Sequence, residues 1–340
     1  MLKEIVIPSA IALASAIDVA AHKAMAQNHW PVRVFAPYVY LGSGDHFKLT
    51  DCDEACGQKF YTLAFIISDR SNNPAWNGHI PMDQNFYAAQ IAAIRARGGD
   101  VIVSFGGEAG NDLAIVETNP ATLEAKYQSV VDRYHLTWLD FDIEGKNLED
   151  QAANQRRNTA LAGLQAKNPG LIISYTLPVN PHGISESAEE LLADAKAKEL
   201  KIHSADLMVM YFGKEFIHRG KSEGRLGIDS ANVGHAQIHK IDPAIQIGLC
   251  PCLGRNGSQD EVFTLEDART LKAFADQTPW ICSLHFWSIN KDAARPRQKS
   301  MVSSATNEGS VPAFNTNGVA VPDARQPWAF ARIFQAFAAR

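Results

Sequence analysis

The feature that most constrains this chain is an alternation. Eight short apolar runs recur along it, most of them followed by polar or helix-patterned sequence. They are VRVFAPYVY (32–40), FYTLAFIIS (60–68), DVIVSFGG (100–107), LTWLDFDIEG (136–145), LIISYTLPV (171–179), ADLMVMYFG (205–213), IQIGLCPCLG (245–254) and ICSLHFWSI (281–289). Runs that are apolar on both faces are strands of a sheet covered by helices on each side. Between them, MDQNFYAAQIAAIRARGG sets Tyr87, Ile91 and Ile94 at helical spacing before a Gly-Gly stop. NPATLEAKYQSVVDRY offers Asn119 as a cap and Pro120 at the first helical position. SESAEELLADAKAKEL, TLEDARTLKAFADQT and WAFARIFQAFAA extend the pattern. The link between the first two runs reads as too short and polar for a full helix. Eight such units without a long linker favour a closed (β/α)8 barrel over an open doubly wound sheet. One helix takes up much of the gap between the last two strands, which leaves no room for an inserted domain.

Composition narrows the class further. The 340 residues fit one such barrel of ~250 residues with decorations. The formal charge is −5 and no Lys/Arg cluster stands out, so nucleic acid is not an expected partner. No apolar run of membrane-spanning length follows residue 26, so no span is expected. Residues 1–26 read in two ways. Lys3, the apolar stretch Ile5 to Ile17, and Ala24-Met25-Ala26 before Gln27 make a secretory signal pattern; Glu4, Asp18 and Lys23 suit an ordinary N-terminal helix better. The first reading sends a catalytic unit of residues 27–340 outside the cell or to the periplasm; the second keeps it cytoplasmic. Among the five cysteines, Cys52 and Cys56 in the polar stretch DCDEAC could pair on export, while Cys250, Cys252 and Cys282 read as buried thiols. The spacing matches no zinc site. No cofactor and no metal are expected, and the protein is expected to act as a monomer.

The fourth run carries the chemistry. Asp140, Asp142 and Glu144 stand at every second position, so all three acids point to one face. In a barrel of this kind the active residues lie at the C-terminal ends of the strands. Glu144 is at that end, beside Gly145, with Asp142 and Asp140 deeper. Neighbours two apart are ~6.6 Å apart along the strand. Like charges that close, in a partly dry mouth, raise one another's proton affinity. A carboxyl still protonated near neutrality can donate to a leaving oxygen. The competing uses of three acids are a divalent cation site and pairing with buried Arg or Lys.

DFDIE is similar to the DxDxE signature on the fourth strand of glycoside hydrolase family 18, the chitinase family. Ser104-Phe105-Gly106-Gly107 resembles that family's SxGG, Met208-Val209-Met210-Tyr211 its Met-x-Tyr region, and Phe286-Trp287-Ser288-Ile289 its strand-eight tryptophan segment. FAPYVY, LAFI and LGRN…EVFTLEDA look like a bacterial and archaeal subgroup. The resemblance covers about residues 32 to 338. It implies hydrolysis of β-1,4 bonds between N-acetylglucosamine units in chitin or its oligomers, by substrate-assisted, retaining catalysis. Glu144 is then the proton donor, Asp142 orients the substrate acetamide, and Asp140 shares a proton with Asp142. Tyr211 bonds the acetamide carbonyl and Trp287 floors the sugar. Ser104 supports the acids through a hydrogen bond, and Gly106 and Gly107 give close backbone approach at the substrate-binding mouth. Trp76, in a polar loop, reads either as an outer sugar platform or as a shielding residue. Asn180, after the fifth strand, is placed to touch substrate. The barrel without an insertion implies a shallow cleft and endo cleavage. An endo-N-acetylglucosaminidase acting on N-glycan cores and a catalytically weak chitin-binding protein are the alternatives.

Three positions depart from the family pattern. Thr137 replaces an acid, Met210 stands before Tyr211 where a tyrosine precedes an acid, and Gly257 follows Asn256 where an acid is common. Either Tyr211 fills the acetamide role or the alignment slips by one and the role is unfilled.

Overall fold

In the computed structural model of the protein the described residues are 30–42, 47–217, 220–257, 260–293 and 326–337. The chain divides into two units, Met1–Pro31 and Val32–Arg340, and every strand and helix described belongs to the second. The expectations for residues 1–26 lie outside the described residues.

Eight parallel strands form the scaffold. They are β1 (in two segments, Val34–Phe35 and Tyr38–Tyr40), β2 (Phe60–Ser68), β3 (Asp100–Gly106), β4 (Trp138–Asp142), β5 (Ile172–Pro178), β6 (Ser204–Met208), β7 (Gln246–Cys250) and β8 (Ile281–Leu284). Each pairs with the next in chain order. The ring closes through β1, whose first segment pairs with β8 and whose second pairs with β2. Eight helices follow the strands in turn: α1 (Leu49–Cys56), α2 (Ala88–Ala96), α3 (Pro120–Tyr134), α4 (Gln151–Lys167), α5 (Glu186–Ala197), α6 (Glu223–Ile241), α7 (Leu265–Gln277) and α8 (Ala329–Gln335). Between β7 and β8 the described residues hold only α7 and a two-stranded ribbon of Gly254–Arg255 with Val262–Phe263.

Local sequence explains the helix starts. Asn119 accepts from the backbone N–H groups of Ala121 and Thr122, with Pro120 just inside α3. Thr264 and Asp267 bond reciprocally as a capping box at α7. The link after β1, expected to be too short and polar for a full helix, folds as the two-turn helix α1. Leu49 and Cys52 are fully buried on its inner face, and Gly57 ends it in the left-handed conformation, its N–H bonding Asp53 O. Cys52 and Cys56 are free thiols 3.3 Å apart on this helix.

The two faces of the barrel strands differ. Outward residues such as Leu63, Val103, Leu139, Phe141, Ile173, Leu207 and Leu249 are buried under the helices and join one apolar core with Leu123, Tyr127, Leu161, Leu191 and Leu271. Each contributes roughly 1.5–3 kcal/mol by leaving water. Many inward residues, of opposite parity, are polar: Tyr38, Thr62, Ser104, Asp140, Asp142, Ser174, Thr176, Asp206, Ser283 and His285 are all buried. The core between sheet and helices holds the barrel, so the lumen can hold ionisable groups.

Candidate active site

The fourth strand places its acids as the spacing requires. Asp140 and Asp142 are inward residues of β4, and Glu144 follows the strand as the cap residue of the short helix Gly145–Glu149. Asp140, 1% exposed, is the best-held of the three. Its Oδ2 accepts from Tyr38 Oη at 2.8 Å and Ser104 Oγ at 2.6 Å. Its Oδ1 accepts from Ser174 Oγ at 2.9 Å and Thr176 Oγ1 at 3.0 Å. Ser174 in turn accepts from Trp138 Nε1 at 3.1 Å, which fixes the direction of its hydroxyl.

Four hydroxyl donors favour the carboxylate, yet burial and then the nearby Asp206 outweigh them, and Asp140 is pushed up to about 6. Asp142 is raised well above the carboxylate range by burial, then by Glu144 and Asp140. One of its buried oxygens, Oδ1, has no hydrogen-bond partner. Glu144 is pushed up to about 7, by burial first and then by Glu108. The column thus keeps protons near neutrality. Among the described residues no group of three or more His, Cys, Asp or Glu side chains is arranged to hold a metal.

The mouth is aromatic on one side. Trp287 is half-buried; its ring stacks on Phe65 at 5.5 Å and 19°, and meets Tyr38 and Tyr40 at 5.9 and 5.6 Å. Met210 packs in the same cluster with Tyr38, Ala64, Cys250 and Phe65. It continues the inward parity of Asp206 and Met208. Tyr211 therefore leaves that face: it adopts a positive φ of 51°, is 54% exposed, and its hydroxyl accepts from Cys252 Sγ at 3.7 Å. Burial, then Cys252, Glu108 and Glu144 push that hydroxyl's pKa up, which sets Tyr211 within electrostatic reach of the proton-donor end of the column.

Of the other expected positions, Trp76 and the two glycines are corrected. Trp76 is no sugar platform: it is 0% exposed, on the short strand Pro74–Trp76 paired antiparallel to β2, with Nε1 donating to Tyr134 Oη at 2.8 Å. The apparent polar loop is a hairpin that turns its tryptophan into the core. Ser104 is 0% exposed, so it meets Asp140 and not a sugar. Gly106 and Gly107, also buried, serve protein packing: a Cβ on Gly106 would lie 2.2 Å from Asp142 O, and one on Gly107 2.8 Å from the Phe65 ring. Both have positive φ, and Gly107 N–H bonds Asp142 O at 2.9 Å, tying β3 to the acid strand. Asn180 is exposed in a tight turn after β5, its Oδ1 accepting from His182 N–H at 2.8 Å. Tyr38, Thr176, Asp206 and Phe65 escape a reading of single motifs. Strand parity marks Tyr38, Thr176 and Asp206 as inward residues, and only ring closure brings Tyr38, 102 residues away, onto Asp140.

No family model matches the sequence. The chain is 32% identical over 281 residues to a probable bifunctional chitinase/lysozyme of Escherichia coli (strain K12), a match spanning 77% of this chain and 31% of that one. It is 31% identical over 279 residues to endochitinase 11 of Metarhizium anisopliae, spanning 77% and 53%. The chain thus spans about a third and about half the length of these curated relatives. Among solved structures, the catalytic domain of a hyperthermophilic chitinase from Pyrococcus furiosus superposes with a TM-score of 0.73 at 30% identity, over 91% of this chain and 96% of that one. A GH18 chitinase from Pseudoalteromonas aurantia shares the fold at a TM-score of 0.57 and 16% identity, over 75% and 93%.

Proposed function

The chain belongs to glycoside hydrolase family 18, the chitinases, and from that premise we propose that it hydrolyses β-1,4 bonds between N-acetylglucosamine units of chitin or chitooligosaccharides. The reaction is endo-acting, retaining and assisted by the substrate's own acetamide. The observation that carries this reading is Asp142: a buried acid between two others, with Oδ1 unpartnered. A substrate amide would supply the missing partner. The relatives agree in class, and one of the Pyrococcus furiosus chitinase structures is a complex with chito-oligosaccharides.

The geometry supports the following steps. Glu144, raised to about 7, is largely protonated below neutrality and gives its proton to the glycosidic oxygen as the bond to the leaving sugar breaks. The acetamide oxygen attacks the anomeric carbon from the other face and forms an oxazolinium ion. Asp142 passes its proton towards Asp140, whose carboxyl group four hydroxyls hold in place, and meets the developing positive charge. Water then attacks the same carbon, Glu144 takes its proton, and the acetamide is released with the anomeric configuration retained. Trp287, with Phe65 behind it, offers the flat apolar floor that suits the C–H face of a pyranose. Tyr211 is the exposed hydroxyl available to the acetamide carbonyl. The reading takes the protein as an exported monomer.

The test compares fully N-acetylated with fully deacetylated chitotetraose. The wild type should cleave only the first, and Glu144→Gln neither. Equal cleavage of both would rule out acetamide participation, and loss of activity in EDTA would point to a metal-dependent hydrolase.

A further inference from the structure

The lumen holds a second ionisable pair that the proposed reaction does not touch. Asp206, on β6, and His285, just past β8, are each 1% exposed. His285 Nε2 lies 3.3 Å from Asp206 Oδ2, an ion-pair contact without the alignment of a hydrogen bond. The other ring nitrogen, Nδ1, is 2.8 Å from Ala36 O, a carbonyl that can only accept. Ser283 Oγ donates to Asp206 Oδ1 at 2.8 Å.

The barrel makes room for this pair. A Cβ on Gly248 of β7 would lie 1.9 Å from Asp206 Oδ1 and 2.2 Å from Ser283 Oγ. Any larger residue there would displace the carboxylate. The pair also stands in the register of the acids: Asp142 pairs with Thr176, Thr176 with Asp206, Asp206 with Gly248 and Gly248 with Ser283. Bringing two charged groups out of water is costly, and replacing them by apolar residues often stabilises a protein. Stability alone is a weak reason for a buried pair beside three acids.

We propose that Asp206 and His285 are positioning residues for the reaction: as an ionised pair they act with opposite sign on the Asp140–Asp142–Glu144 column and set how firmly it holds its protons. This rests on the catalytic reading of that column. Asp206 is a fixed negative charge that makes Asp140 keep a proton; His285 is the positive charge that keeps Asp206 ionised and limits the effect. The directions of titration agree. Burial raises Asp140 most and Asp206 next, while His285 lowers it. Burial would raise Asp206, but His285 and the hydroxyls hold it below its usual range. Burial would lower His285, but Asp206, the Ala36 carbonyl and Asp140 hold it above. The other titratable groups facing Asp206 are His203 before β6, Cys250 on β7 and Cys282 on β8. Tyr38 of β1 faces His285, with ring centroids 5.9 Å apart. All of these other groups are neutral near pH 7, so none replaces either charge.

The first test needs only the wild type. Imidazole nitrogen shifts of His285 should report a ring that stays doubly protonated through the pH range around 6.5 where an ordinary imidazole loses its proton. A neutral ring in that range overturns the proposal, whatever the activity. The second test follows the alkaline limb of kcat/KM on N-acetylated chitotetraose. Asp206→Asn should move it down by roughly half a pH unit or more, and His285→Gln should move it up. A downward shift for Asp206→Asn with an upward one for His285→Gln supports the proposal. Any other pattern, including equal rate losses with unmoved limbs, marks a purely structural pair and overturns it. Carboxyl carbon shifts of Asp140 in the same proteins should move in the same directions without any turnover. A wild type that fails to cleave the tetramer would sink the catalytic reading, while this titration would still decide the coupling between the pair and Asp140.

Discussion

Asp112 and Asp142 are both buried acids, yet they live under opposite rules. Asp112, 1% exposed, accepts Arg157 Nη2 at 2.9 Å, and the fully buried Arg157 also donates to Asn154 Oδ1 at 2.6 Å. That site lies outside the barrel strands, where Asp112 also caps the helix Leu113–Val116. Asp142, 6% exposed, has acids for its charged neighbours and an oxygen with no partner. A buried charge with its counter-charge is architecture. A buried acid without one keeps its proton and is primed to move it.

The comparison breaks most sharply at the ends of its two arms. Glu144→Gln should lower kcat by about 10²–10⁴-fold with KM little changed, read from initial rates on N-acetylated chitotetraose. Asp112→Ala should do the reverse. It strands a buried guanidinium and should cost about 3–5 kcal/mol in urea unfolding, while the folded fraction keeps its specific activity. An equal loss of activity in both variants would erase the distinction.

The pH dependence sharpens it. Glu144 at about 7 binds a proton more tightly in the folded protein than at its ordinary 4.5. The folded state therefore holds more protons between those values, and stability falls as pH rises through the window. Asp140, at about 6, adds to the same trend. Glu144→Gln removes its share, so near pH 8 it should be more stable than wild type by about 1–3 kcal/mol, with little difference near pH 4. Activity should fall as pH rises past about 7, where Glu144 loses the proton it donates.

The smallest effects separate the two tryptophans. Trp287→Ala should raise KM by about tenfold or less, the scale of one aromatic contact. Trp76→Phe should leave KM unchanged and show only in a lower melting temperature, because Trp76 bonds Tyr134 inside the core.

The barrel was legible because its strands are apolar in runs and most of its helices carry caps and stripes. Two helices carry caps, Asp150 before α4 and Ser222 before α6, but a mixed inner face. α4 buries Asn154, Arg157 and Asn158, and α6 buries Gly224, Gly227, Ser230 and Gly234, so their inner faces do not stand out as apolar. Trp76 misleads for a related reason: polar neighbours mark a loop, but the chain folds back on β2 and buries the ring. The acids are legible because period-two spacing in one strand is a local signal. Their partners are not local. Tyr38, Ser104, Ser174 and Thr176 come from three other strands and converge on Asp140 only after the ring closes.

The most direct test of the central claim, that this acid column works with the substrate's acetamide, is the anomeric form of the first product. Proton NMR during the first minutes of N-acetylated chitotetraose cleavage should show the β-anomer forming before mutarotation, the retained outcome. An initial α-anomer would mean direct attack by water from the opposite face, and would contradict the account.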